Sequence, residues 1–339
     1  MMEFKGLVLR AMAASGLENF FAPPAQSRLT TLVMHGFAHA GESWSVAKDR
    51  LCRQLEWMRG AYTPVSLSQV EVGLESGKLP QRPLLVTIDD ALVDLLEVAD
   101  VFRSFEVPPA VFVCAGWTVQ ASVREPIGLL AGIVSAIEWY RGPEVKLTMG
   151  PRNVQLLLST ARRGQAVDDL LTPNNGLLDH LDELADKLQA FAPRAAARSI
   201  CTWDELRLLQ TLGVDIGCHS VSHIRMATAT PMRRAFEIGE GKRLVESQLG
   251  ACSAFAYPYG TADAHNEASA HALGDAGFRL AFLTHSDFSS TASDPYRLPR
   301  ITLPDRAMAL AEFRARVRGA GIPLAKAKAW VRGARPNVA

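Results

Sequence analysis

Two adjacent carboxylates, Asp89 and Asp90, stand immediately after the apolar run Leu84–Ile88. Side by side at the end of a buried strand they lose solvation and repel one another unless a cation or strong donors compensate. A bound metal would do so. The plainer account makes Asp90 the N-cap of a helix over Ala91–Phe105 and leaves Asp89 in solvent. A second constellation lies further along the chain, in Gly217-Cys218-His219-Ser220-Val221-Ser222-His223. Two His four apart can share one face of a turn or helix and bind one metal through neutral imidazole nitrogens. A chain of this length with 8 His contains such a pair by chance about one time in five, so the pair alone says little. Joined, one carboxylate and two His make the open facial arrangement that leaves metal positions for water and substrate.

These groups do chemistry only if the fold brings them together. Short apolar runs ending in small or polar residues occur at Leu29–Val33, Leu84–Ile88, Ala110–Val113, Val214–Gly217, Ala254–Tyr257 and Leu280–Leu283. Between them lie stretches with helical spacing: Ser45–Met58, Ala91–Phe105, Thr202–Thr211, Pro231–Leu249 with Thr230 as N-cap, and Asn266–Ala276. Alternating strand and helix predicts a parallel α/β sheet or barrel. In such folds the carboxyl ends of the strands carry the site. The polar residues that follow the runs are His35, Asp89-Asp90, Cys218-His219, Pro258-Tyr259 and Thr284-His285. The segment from about Trp117 to Ser199 breaks the rhythm and reads as a mostly helical insertion, rich in Leu and Ala, with turn signals at Gly142-Pro143 and Gly150-Pro151. Such an insertion either shapes substrate choice or packs as a buttress.

Composition narrows the class further. With 48% apolar and 21% charged residues over 339 positions, the chain can bury a large core and is not of a disordered or fibrous type. Its 36 Lys+Arg against 35 Asp+Glu lack the basic excess of a nucleic-acid binder. Five scattered cysteines without a Cys-x-x-Cys suggest neither a disulfide framework nor a thiolate zinc site, and predict a reducing compartment. Met1–Phe21 is interrupted by charges and does not read as a secretory signal. The longest apolar stretch, Ile127–Ile137, is too short to span a bilayer and predicts a buried helix. A cytoplasmic protein is expected.

The same residues resemble the NodB-homology polysaccharide deacetylases, metal-dependent carbohydrate esterases. Their first motif is similar to Thr87-Ile88-Asp89-Asp90, their second to His219-Ser220-Val221-Ser222-His223, and their third, a strand ending in a Pro-Tyr turn, to Phe255-Ala256-Tyr257-Pro258-Tyr259-Gly260. Lesser features follow in order: Val107-Pro108-Pro109-Ala110, Thr202-Trp203-Asp204-Glu205-Leu206 and Leu298-Pro299-Arg300-Ile301. The resemblance spans roughly residues 29–305 outside the insertion. It implies a distorted (β/α) barrel with fewer than eight strands, and a hydrolase that removes N-acetyl groups from an acetamido sugar, polymeric or lipid-linked, releasing acetate and a free amine. Asp90, His219 and His223 would hold one divalent metal, zinc foremost, with cobalt, nickel or iron also suited to the set. Asp89 would be the general base toward the attacking water, and the backbone N–H of Tyr259 would steady the oxyanion. Tyr257 and Tyr259 serve equally well as barrel packing.

The departures from the family pattern are informative. The general acid of many members is a His in a late Leu-x-His motif, and Leu283-Thr284-His285 looks like it but follows the Pro-Tyr turn closely. In exopolysaccharide-type members the role looks transferred to the first strand, where His35 stands; His35 is therefore favoured over His285, and His39 reads as a loop residue. Ala91 replaces the usual Gly after the Asp pair and is expected to start a helix, with Asp94 as the acid slightly downstream. The Arg that precedes the third motif is missing, and Arg300 is expected near the site as a replacement and substrate contact, or else in a surface ion pair. After Glu312 there are no acids, while seven Lys and Arg gather around Trp330; together with a moderately amphipathic N-terminus this suits either a solvated tail or peripheral contact with anionic membrane lipid at the inner face. The expected organisation is an N-terminal segment 1–28, a barrel 29–305 with its insertion at about 117–199, and a basic tail 306–339. The competing functions are an amidohydrolase on a non-sugar amide or cyclic imide, and a catalytically inactive glycan-binding homologue.

Overall fold

A parallel strand sandwiched between helices has no wet face, so its residues are apolar throughout and not alternating. The computed structural model shows this in β1 (Thr30–Met34), where every residue is buried. It describes residues 2–17, 21, 28–38, 46–119, 133, 136–137, 140, 142–162, 165–166, 169–170, 176–189, 200–303 and 308–322. The further strands among them are β2 (Phe37–Ala38), β3 (Val46–Ala47), β4 (Thr63–Pro64), β5 (Pro83–Asp89), β6 (Pro109–Val113), β7 (Val145–Met149), β8 (Val154–Leu158), β9 (Asp215–Cys218), β10 (Ala254–Ala256), β11 (Leu280–Phe282) and β12 (Ile301–Thr302). All six apolar runs are strands, within one or two residues of the expected bounds.

The main sheet runs β11-β10-β9-β6-β5-β1-β12, with the short β4 attached to the start of β5. Its neighbours pair in parallel: Val33 faces Thr87 across β1 and β5, and Asp89 faces Phe112 across β5 and β6. Leu298 bridges Phe282 at one edge while Ile301 and Thr302 pair with Leu32 and Val33 at the other. The stretch 298–302 therefore touches both edges of the curled sheet, which is a distorted barrel with fewer than eight strands on its path.

Helices Lys48–Ala61, Leu67–Ser76, Trp203–Thr211, Pro231–Leu249 and Glu267–Asp275 cover the strands. Their starts are written locally: Ser66, Thr202 and Asn266 each form a capping box, and Thr230 accepts from the Arg233 N–H ahead of Pro231. One expected helix differs. Residues 91–105 begin with no helix; a 3-10 turn occupies Val93–Glu97 and an α-helix Ala99–Ser104. Asp90 and Ala91 sit in the left-handed region at φ 71° and 52°, so Asp90 is not an N-cap and Ala91 is not a helix start. A glycine is the unstrained residue at such a φ.

The described residues of the insertion hold two strands where helix was expected. β7 and β8 form an antiparallel hairpin in which burial alternates along each strand, around a turn with Gly150 and Asn153 at positive φ. Leu147, Met149, Leu156 and Leu158 pack with Leu184 and Leu188 of helix Leu181–Gln189 in an apolar cluster of their own. Of the stretch 127–137 only Ile133, Ala136 and Ile137 lie inside the described residues, and they are helical and buried. At the chain's other end, Leu9 of helix Met2–Ala14 packs on Ala315 and Ala320 beside helix Leu310–Val317. Arg314 and Arg318 lie over the Trp57 ring and Arg316 pairs with Glu312. Residues 323–339 of the basic tail, and His39, lie outside the described residues. No helix among the described residues is long and apolar enough to cross a membrane.

Candidate active site

β5 delivers Asp89 and Asp90 to the carboxyl end of the barrel, and the left-handed turn at 90–91 swings the Asp90 carboxylate towards the end of β9. There the Nε2 atoms of His219 and His223 each lie 3.6 Å from the same oxygen, Asp90 Oδ1. Such separations are too long for hydrogen bonds. They are near the ligand–ligand edge of roughly 3.3 Å expected around a tetrahedral divalent ion with bonds of about 2.0–2.1 Å. The three ligand atoms all lie within 4.8 Å of one another. Burial, with help from His219, pushes the His223 pKa well below its ordinary value, which keeps the imidazole neutral and ready to ligate. His219 Nδ1 lies 2.7 Å from the Ala256 carbonyl, and a proton on that nitrogen leaves Nε2 as the lone-pair donor. The donor set therefore fits a divalent metal.

Asp89 has a different environment. Arg300, fully buried, grips it with two parallel bonds, Nη1 to Oδ1 and Nη2 to Oδ2, each 2.7 Å. The same guanidinium donates to Thr87 Oγ1 (3.0 Å) and, through Nε, to the Leu283 carbonyl (2.9 Å). Burial alone would raise the Asp89 carboxyl; Arg300, aided by His219 and His35, outweighs it and holds the pKa at about 2. Arg300 thus reaches Asp89 from the stretch next to β12. The expected surface ion pair gives way, because the side chain has no exposed surface and four of its five N–H groups are spent on Asp89, Thr87 and the Leu283 carbonyl.

The half-buried His35 follows β1 and acts electrostatically on both Asp89 and His223, which places it at the same mouth. Asp94 Oδ2 accepts the Phe37 N–H at 2.7 Å and so secures the turn that carries His35. His285 is exposed; its carbonyl accepts the Arg300 backbone N–H, and its ring acts on His265. Pro258 is buried in the turn after β10, and Tyr259 at φ 62° lays a half-exposed ring 4.7 Å from His223 and 4.2 Å from the Arg225 guanidinium.

Two residues outside the motifs also belong to the site. Trp117, expected only as the edge of the insertion, stacks on His223 with centroids 5.2 Å apart. Glu237, hidden in a helix with ordinary spacing, is fully buried and bonds to the loop between the two His. The only sequence sign of Glu237 is an acid at a position that the helical periodicity turns inward. Cys114, whose thiol burial pushes far upward, donates to the His219 carbonyl and stays a neutral packing group.

The family profile for polysaccharide deacetylases matches residues 76–281, more than half of the chain. The chain belongs to the polysaccharide deacetylase family. YxkH of Bacillus subtilis (strain 168), whose name refers it to the same family, is 21% identical over 164 residues; the match takes in 45% of this chain and spans 58% of that relative's length. The Streptococcus pyogenes deacetylase PplD, solved in complex with acetate, shares the fold with a TM-score of 0.57 at 16% identity, over 85% of this chain and 97% of that one. IcaB from Ammonifex degensii gives 0.55 at 17%, over 87% and 99%. His35 and Arg300 of this deacetylase lie outside the stretch that the family profile covers, so their places at the mouth come from the fold.

Proposed function

We propose that this deacetylase hydrolyses the N-acetyl group of an acetamido sugar, consuming one water and releasing acetate and a free amine. The observation that carries the reading is the oriented Asp89–Arg300 pair set beside the Asp90, His219 and His223 ligand trio. A divalent metal held by that trio, zinc by first preference, supplies Lewis-acid polarisation of the amide carbonyl and acidifies water. Asp89 takes the proton of the attacking water. Its hold by Arg300 trades basicity for a fixed direction and permanent ionisation at neutral pH. His35 gives a proton to the departing amine nitrogen, and the left-handed turn at Tyr259 presents a backbone N–H to the developing oxyanion.

Family membership and the acetate seen with PplD support an acetylated sugar as substrate. Five free cysteines, four of them buried, suit a cytoplasmic site of action. A role at an anionic membrane surface draws less support, since Leu9 and several of the C-terminal arginines are spent inside the fold. The test is acetate release from free, polymeric and lipid-linked acetamido sugars by metal-loaded protein beside a chelator-treated control. Chelator-sensitive release is expected, and the best substrate identifies the sugar context. Absence of release by protein shown to hold metal would overturn the reading in favour of an imide or non-sugar amide hydrolase, or of a glycan-binding protein.

A further inference from the structure

The two imidazoles of the ligand trio are held in unlike ways. His219 belongs to the end of a strand: its N–H donates to the Val113 carbonyl at 2.8 Å, its ring lies on the Ala256 carbonyl, and its own carbonyl accepts from Cys114. Three strands fix it. His223 stands four residues beyond, in a loop whose backbone is left-handed at Ser220 (φ 70°) and at His223 itself (φ 55°). Neither residue is glycine, so the loop holds conformations that cost on the order of 1 kcal/mol each and persist only when the surroundings enforce them.

The enforcing group is Glu237. It projects from helix Pro231–Leu249, is fully buried, and accepts through one oxygen, Oε2, from the N–H groups of Val221 (3.0 Å) and Ser222 (2.8 Å). Its other oxygen accepts from the Ser222 hydroxyl. Arg233, half exposed on the preceding turn of the helix, reaches both Glu237 Oε1 (2.6 Å) and Ser222 Oγ (2.8 Å). Within the loop, Ser220 Oγ accepts the His223 N–H at 2.9 Å. A buried carboxylate that takes two successive backbone N–H groups clamps that peptide unit by charge-assisted bonds. One helix residue thereby fixes the path between the two ligands, while Trp117 stacks on the His223 ring and Tyr259 meets it edge-on.

We infer that Glu237 is a positioning residue for the metal centre, holding His223 in register with Asp90 and His219, so that loss of its carbonyl-type acceptor loosens one ligand of three while the other two stay in place. The inference rests on the proposal that the trio binds a divalent metal, and the experiment separates the two. Cobalt(II) is titrated into metal-free wild type and into Glu237→Gln, Glu237→Asp and Glu237→Ala, reading both the dissociation constant and the visible d–d spectrum, with near-ultraviolet circular dichroism as a check of folding. Gln keeps an acceptor oxygen for the two N–H groups and turns an amide N–H to Ser222 Oγ, and the half-exposed Arg233 loses its partner there and swings into solvent, so this variant should bind within about threefold of wild type with the same spectrum. Asp withdraws the carboxylate by one methylene and Ala removes it; each should weaken cobalt by about 10- to 100-fold, the range for a lost outer-shell partner, and alter the spectrum. Should the Ala variant fail to fold, the Asp variant decides. Wild-type affinity and spectrum in a folded Asp or Ala variant would overturn the role of Glu237; failure of wild type to bind cobalt at all would overturn the metal reading instead.

Discussion

At the scale of single residues, the site divides two adjacent carboxylates by what surrounds them: Asp90 faces two imidazoles, Asp89 a buried guanidinium. Asp89→Asn should retain metal and lose about 100-fold or more of kcat, measured by acetate release with metal content determined in parallel. His35→Ala should lower kcat/KM by a similar factor, whereas His285→Ala should stay within about threefold. Because the folded chain holds Asp89 at about 2 against an ordinary value near 3.8, it binds fewer protons than the unfolded chain between those values. Its contribution to stability, on the order of 2 kcal/mol, is complete above about pH 4 and is lost as pH falls through about 2. Arg300→Gln leaves that carboxylate buried without its cation. Acid titration of the variant by circular dichroism should show its unfolding midpoint at higher pH than wild type, and about 3 kcal/mol less stability at neutrality.

At the scale of elements, the close approach of helix Pro231–Leu249 to the ligand loop decides the geometry. A methyl group added at Gly241 would meet Cys218 Sγ at 2.8 Å and the Ser220 carbonyl carbon at 3.2 Å. Gly241→Ala must push the helix, and Glu237 one turn before it, away from the loop. Urea unfolding should show a loss of about 1–3 kcal/mol, net of the better helix propensity of Ala. The hairpin β7–β8 teaches a different lesson about elements: β8 is rich in Leu, which propensity gives to helices, yet alternating burial of the hairpin against helix Leu181–Gln189 makes it a strand. Tertiary packing overrode a weak local preference.

At the scale of the whole molecule, the curled sheet gathers groups from strands that are remote in sequence. Arg300 and Asp89 are 211 positions apart and meet because the stretch 298–302 lies beside both β11 and β1. A metal that binds only the folded chain then stabilises all of it: at a free concentration one hundred times the dissociation constant, thermal unfolding should be opposed by about 2.7 kcal/mol more than in chelator-treated protein. An unchanged melting temperature across a zinc titration would count against a site assembled by folding.

Much of this was written locally. Contiguous apolar runs could only be interior strands, the Asp pair and the spaced His pair stood at strand ends, and Thr230 marked its helix, because hydrophobic period, caps and turn chemistry act over a few residues. The fold class, and the joining of one carboxylate with two His, followed from those short-range patterns and from their order along the chain; the choice of Asp90 over Asp89 as ligand came from the family resemblance. The left-handed turn at Asp90–Ala91, the grip of Arg300 on Asp89, the stacking of Trp117 and the Glu237 clamp did not. Each depends on which surfaces the sheet brings within hydrogen-bond reach when it curls, and on burial that gives a charge one available partner. Those are properties of the packed molecule, which no window of sequence contains.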